Sequence, residues 1–136
     1  MEPYRHIVQY YETDKMGVTH HSNYIRWMEE ARVYFLKGIG WDYARLESEG
    51  IISPVVEAHC RYRQTTTFSD EVFVTVSVKA YSGVKLTLKY EIRKEDDTLA
   101  AEGETVHCFV NEGGMPIFLA KQYPDFHKLL KDLAEQ

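Results

Sequence analysis

No apolar run in this chain approaches the ~18 residues that a membrane helix needs, so nothing in it reads as a span. The N-terminus, MEPYRHIVQYYETD, lacks a basic region followed by an apolar block. No signal peptide is therefore expected, and the cytoplasm is the expected compartment. Cysteine is scarce: Cys60 and Cys108 stand far apart and form no CxxC pair. In a cytoplasmic protein such thiols are expected to be reduced core residues. A basic excess is missing as well, since the formal net charge is -5. That argues against a nucleic-acid-binding surface, though a local basic patch for an anionic ligand stays possible. HExxH and HxH spacings are absent, which weakens a metal site. No repeat, low-complexity segment or interdomain linker interrupts the 136 residues. One domain over 1–136, with room for a single core, is the expectation.

What is present is a globular composition, 44% hydrophobic and 27% charged. Residues 4–11, YRHIVQYY, suit a short first strand. A polar loop follows, and then SNYIRWMEEARVYFLKGIG. Its residues Tyr24, Trp27, Met28, Ala31, Tyr34 and Phe35 share one helical face, from which Glu29, Glu30 and Arg32 fall away. Ser22 suits the N-cap, and Gly38 or Gly40 the stop. WDYARLESEG reads as a short second helix ending at Gly50.

After Pro54 the period becomes two. Val56, Ala58, Cys60 and Tyr62 make an apolar face against Glu57, His59, Arg61 and Arg63. Val72, Val74, Val76 and Val78 alternate with Phe73, Thr75, Ser77 and Lys79; Val84, Leu86, Leu88, Tyr90 and Ile92 alternate with Lys85, Thr87, Lys89, Glu91 and Arg93. Ser82-Gly83 and EDDT (95–98) are turn signals. Residues 99–111 give a last strand, and a terminal helix carries Phe126, Leu129, Leu130 and Leu133 on one face. The order predicts an α+β class, a curved five-stranded antiparallel sheet wrapped around one long helix.

The chemistry concentrates in YETDKMGVTHHSNY, residues 11–24. Glu12, Asp14, His20 and His21 could ligate a metal, but adjacent histidines rarely face one ion. They could equally be the polar residues of a solvated loop. The third reading is acid/base or nucleophilic chemistry. Gly17 lets the backbone approach a ligand, and the loop enters a helix near His21 or Ser22. The first amides of a helix are unpaired and partly positive, which suits a developing oxyanion. An ordinary Asp is ionised at neutral pH, so Asp14 could attack an activated acyl carbon or orient a water. A thioester fits better than an amide because its thiolate leaves with less help.

The pattern Y-Y-E-T-D-x-x-G-V-x-x-H-x-x-Y, with E-x-A-R (Glu29, Ala31, Arg32) on the following helix, resembles the 4-hydroxybenzoyl-CoA thioesterase-like branch of the hotdog-fold acyl-CoA thioesterases. The segments IISPVVEAHCRYRQ, QTTTFSDEVFVTVSV and LAAEGETVHCFVNEGGMP extend the likeness along most of the chain. The resemblance implies the hotdog fold and hydrolysis of a small or medium acyl-CoA to free acid and CoA, without metal or cofactor. It implies a homodimer or homotetramer with a site shared between subunits; the acidic balance and the lack of a long apolar run make no nucleic-acid or membrane partner the expectation. Asp14 takes the place of the catalytic carboxylate, and the His21 backbone amide that of the group polarising the carbonyl. Gly17, Val18 and Tyr24 take substrate-side positions; Trp27 and Met28, core residues by their stripe, are candidates to line the acyl tunnel. Glu12 stands where the family commonly has Asp, and His20 where it has an aromatic. Arg61 and Arg63, or Lys85, Lys89 and Arg93, are candidates for the CoA phosphates, against the simpler reading of a solvated or subunit-contacting face. A non-catalytic acyl-CoA-binding or acyl-carrier-binding module is the alternative function. A hotdog dehydratase would place its His and acid differently.

Overall fold

The computed structural model describes residues 1–136. The elements run β1 (Tyr4–Ile7), a 3-10 turn at Tyr10–Glu12, α1 (Ser22–Gly38), α2 (Tyr43–Ser48), β2 (Val55–Tyr62), β3 (Glu71–Tyr81), β4 (Lys85–Lys94), β5 (Leu99–Cys108), α3 (Leu119–Gln122) and α4 (Pro124–Ala134). One five-stranded sheet has the order β1-β3-β4-β5-β2, antiparallel throughout. The long helix α1 lies across its inner face. This is the hotdog arrangement expected. No helix is long and apolar enough to cross a membrane.

The helix stripe explains the packing. Tyr24, Trp27, Met28, Ala31 and Phe35 are buried against Val72, Val74, Leu86, Leu88, Tyr90 and Ile92 of the sheet. Each large side chain contributes roughly 1.5–3 kcal/mol by leaving water. Gly103 on β5 lets α1 sit close: a Cβ there would meet the His59 carbonyl oxygen at 2.6 Å and Met28 at 2.8 Å. Gly40, at φ +88, ends α1, with Trp41 N–H donating to Leu36 O at 2.9 Å. In α4, Phe126 and Leu130 are buried and Leu129 and Leu133 partly so, with Trp41 stacked on Phe126 at 4.3 Å.

Several expectations need correction. The first strand stops at Ile7 because residues 10–12 wind into a turn that Glu12 caps at Gln9. Ser22 is the first helical residue rather than the N-cap, which is His21. Tyr34 is exposed and Arg32 buried, since both lie at the margins of the stripe, where neighbouring elements decide. Val84 lies in the turn before β4 and is exposed. The apolar residues of β2 are not covered: Val56 is 48% and Tyr62 47% exposed. α1 meets this edge only at its start, where Tyr24 packs on Tyr62, and the rest of its length lies over the inner strands. Cys60 and Cys108 are free, as expected, but only half-buried.

Candidate active site

The loop between the 3-10 turn and α1 is hydrogen-bonded almost residue by residue. Asp14 opens a turn: its Oδ1 accepts from Met16 N–H at 2.8 Å, and its carbonyl accepts from Gly17 N–H at 3.0 Å. Gly17 closes that turn at φ +80, a left-handed conformation other residues adopt at a cost. Asp14 N–H donates back to Val18 O at 2.8 Å. Thr67 Oγ1 donates to Gly17 O at 2.7 Å, and Val18 bridges Thr67. The Asp14 Oδ2 has no partner within the chain.

Helix α1 begins immediately after. His20 Nδ1 accepts from Ser22 N–H at 3.2 Å and lies 2.9 Å from Ser22 Oγ. Its ring therefore does the capping that a serine was expected to do. Asn23 N–H donates to His20 O at 3.0 Å and Tyr24 N–H to His21 O at 3.2 Å. The backbone N–H of His21 makes no hydrogen bond in the chain. It is the one amide at this corner free to meet a carbonyl oxygen. The His21 ring is exposed, stacked on His20 at 4.4 Å and edge-on to Tyr62 at 6.1 Å.

An open cavity of about 200 Å³ adjoins this corner, lined by Thr19, His21, Tyr24, Tyr62, Arg63, Gln64 and Thr65. Tyr24 and Tyr62 meet edge to face at 5.1 Å. The Tyr24 hydroxyl lies 3.0 Å from Thr66 Oγ1, and burial pushes its pKa up. Of the residues singled out by sequence, His21 and Tyr24 share this cavity. Asp14, Gly17 and Val18 form the adjoining turn and do not line it. Trp27 and Met28 are fully buried in the core and line no part of it; their place is packing, and the Trp27 indole N–H is taken by Glu12. Tyr62 and Thr19 also line the cavity, and sequence does not point to either. Tyr62 reads as one more residue in an alternating strand, and Thr19 has no signal in sequence at all.

Glu12 faces inward. Its Oε1 accepts from Gln9 N–H at 2.8 Å and pairs with His6 Nε2 at 2.8 Å; its Oε2 accepts from Trp27 Nε1–H at 2.8 Å. Burial alone would raise its pKa, but these donors outweigh it and hold the carboxyl below its usual range. With Glu12 turned into the core and the His20 ring on Ser22, the loop's acids and histidines do not converge, and no cluster of three metal-ligating side chains forms.

The charged face of β2 lies on the outer side of the sheet. His59 pairs with Glu57 at 3.2 Å, Arg63 with Glu102 at 2.6 Å and Lys79 with Glu104 at 2.8 Å. Arg61 and Lys89 have no carboxylate partner and border a cleft of about 370 Å³ there.

Residues 8–127 match the thioesterase-like superfamily. The DHNA-CoA thioesterase from Staphylococcus aureus has a similar structure, with a TM-score of 0.92 and 34% identity over 98% of this chain and 91% of that one. YneP of Bacillus subtilis (strain 168) is 33% identical over 121 residues, 88% of each chain. The 1,4-dihydroxy-2-naphthoyl-CoA hydrolase of Thermosynechococcus vestitus is 27% identical over 108 residues, covering 79% of this chain and 74% of that one. A family match of this length, with a relative above 30% identity covered nearly end to end, places the chain in the thioesterase-like superfamily of hotdog-fold proteins.

Proposed function

We propose that this thioester hydrolase cleaves a small or medium acyl-CoA to the free acid and CoA, with Asp14 as nucleophile or general base. The observation that carries the reading is the pairing of a carboxylate that keeps one oxygen unbonded with an unpaired helix-start amide seven residues on, at His21. The thioester carbonyl oxygen accepts from His21 N–H, where one such donor supplies roughly 2.7–4 kcal/mol as charge develops. Asp14 either attacks the carbonyl carbon, giving an anhydride that water then hydrolyses, or takes a proton from the attacking water. In both routes the C–S bond breaks and the sulfur leaves as CoA thiolate. Tyr24 and Tyr62 offer aromatic walls to the acyl group, and Gly17 and Val18 shape the turn beside it. Arg63, at the rim, suits a CoA phosphate once it exchanges its Glu102 partner for it. The motif resembles that of the 4-hydroxybenzoyl-CoA branch, and the naphthoyl substrate in the name of one relative supports including aromatic esters in any assay.

A second reading, an acyl-CoA-binding or acyl-carrier-binding module, draws on one fact: Asp14 already holds Met16 N–H and does not line the cavity. Thiol release from short, long and aromatic acyl-CoAs, by the parent and by Asp14→Asn, separates the two. Loss of at least about 100-fold in the variant supports the carboxylate mechanism. Binding of the esters by both proteins without thiol release overturns it in favour of the module.

A further inference from the structure

We infer that Glu12 is a positioning residue for the hydrolysis: it locks the loop that carries Asp14 onto the start of α1. The inference rests on the roles given above to Asp14 and His21. The carboxylate joins three parts of the chain, taking donors from His6 on β1, from the Gln9 backbone at the 3-10 turn and from Trp27 one turn into α1. The carbonyl of the same residue closes the loop. It accepts from His20 N–H at 2.8 Å and from Asn23 Nδ2–H at 2.9 Å, and Asn23 also reaches His20 O at 3.3 Å.

Residue 12 therefore grips both ends of the loop. Asp14 lies two residues beyond it, and His21 follows the residue whose amide it holds. The spacing between the carboxylate and the free amide is set by bonds that converge on Glu12. Thr19 and Thr67 fasten the loop to the 66–67 segment, with Thr19 N–H donating to Thr66 O at 2.8 Å. They leave its position over α1 to Glu12 and Asn23.

Glu12→Gln is the sharpest probe because it keeps the shape. An amide NH2 toward Trp27 faces the indole N–H; turned the other way it faces the Gln9 N–H. No orientation satisfies every donor, so at least one anchor is lost. Asn23→Ala is the second probe, cutting the carbonyl tie with the carboxylate intact. For both, kcat on the best acyl-CoA should fall at least about 10-fold while KM moves less than about 3-fold, because binding survives and alignment does not. Backbone amide exchange at Asp14 and His20 should speed up at least about 10-fold, with β4 and β5 amides unchanged. Unchanged kcat and unchanged exchange in both variants overturn the inference. If Glu12→Gln loosens the whole sheet, Asn23→Ala decides: fast exchange confined to the loop, with lowered kcat, upholds it, and parental behaviour overturns it. Asp14→Asn is run alongside. Full turnover by that variant sinks the role of Asp14, whereas the exchange data still decide whether Glu12 holds the loop.

Discussion

His107 is fully buried on β5, with Nε2 2.7 Å from Thr105 Oγ1, which is in turn 2.7 Å from the Tyr90 hydroxyl. Its Nδ1 has no partner. Burial first, and the nearby Arg32 charge second, push its pKa down to about 4. The unfolded chain takes up this proton near the ordinary value of ~6.5. Between those limits the unfolded state binds more protons, so stability falls as pH falls. The contribution is full above about 6.5 and is lost on the way down to about 4, close to 3 kcal/mol in all. Urea unfolding should show the parent losing about 2 kcal/mol more than His107→Gln between pH 7 and pH 5. Equal losses would mean that this histidine titrates normally. Nothing in the sequence gives His107 a role, because the chain from Tyr90 through Thr105 to its ring forms only once β4 and β5 lie side by side.

At the scale of elements, the contact of α1 with the sheet turns on Gly103. The methyl group of Gly103→Ala would press on the His59 carbonyl oxygen, a backbone atom that cannot swing away, and on Met28. Denaturation midpoints should report a loss of about 1–3 kcal/mol, with slope unchanged. An unaltered midpoint would show that the helix lifts freely. The alternation of Leu86, Leu88, Tyr90 and Ile92 made β4 legible from sequence because a strand's two faces are written locally. The burial of Arg32 was not legible. The guanidinium pairs locally with Glu29 three residues back, but it is covered by Tyr43, which reaches it only after α2 has folded back.

For the whole molecule, the bare strand β2 is the main unsatisfied feature. It is an edge of the sheet, with Val55, Val56 and Tyr62 exposed. An edge with free backbone groups and apolar side chains is a template for another strand. We expect a second copy to pair there, giving the dimer that the sequence resemblance implied, with a tetramer as a further step. Light scattering of the parent and of Val56→Lys tests this: a parental dimer that the variant splits into monomers is the expected outcome. A monomeric parent, or an assembly indifferent to the lysine, would place any interface elsewhere.

The sequence by itself determined the order of elements, the helix stripe, the strand alternation and the loop holding Asp14, Gly17 and His21. All of these are properties of neighbours along the chain, read through periods of two and 3.6 and through turn chemistry. Only the tertiary structure decided which polar residues turn inward. Glu12 could be read from spacing as a metal ligand or a solvated loop residue, yet it turns inward, because Trp27, fifteen positions away, supplies a donor that holds it in the core. His20 stands where the family has an aromatic, yet its ring folds back to accept the Ser22 amide and leaves the amide of His21 as the free one. The fate of a polar side chain rests on which donors reach it once the core has closed, and spacing in the chain does not encode that.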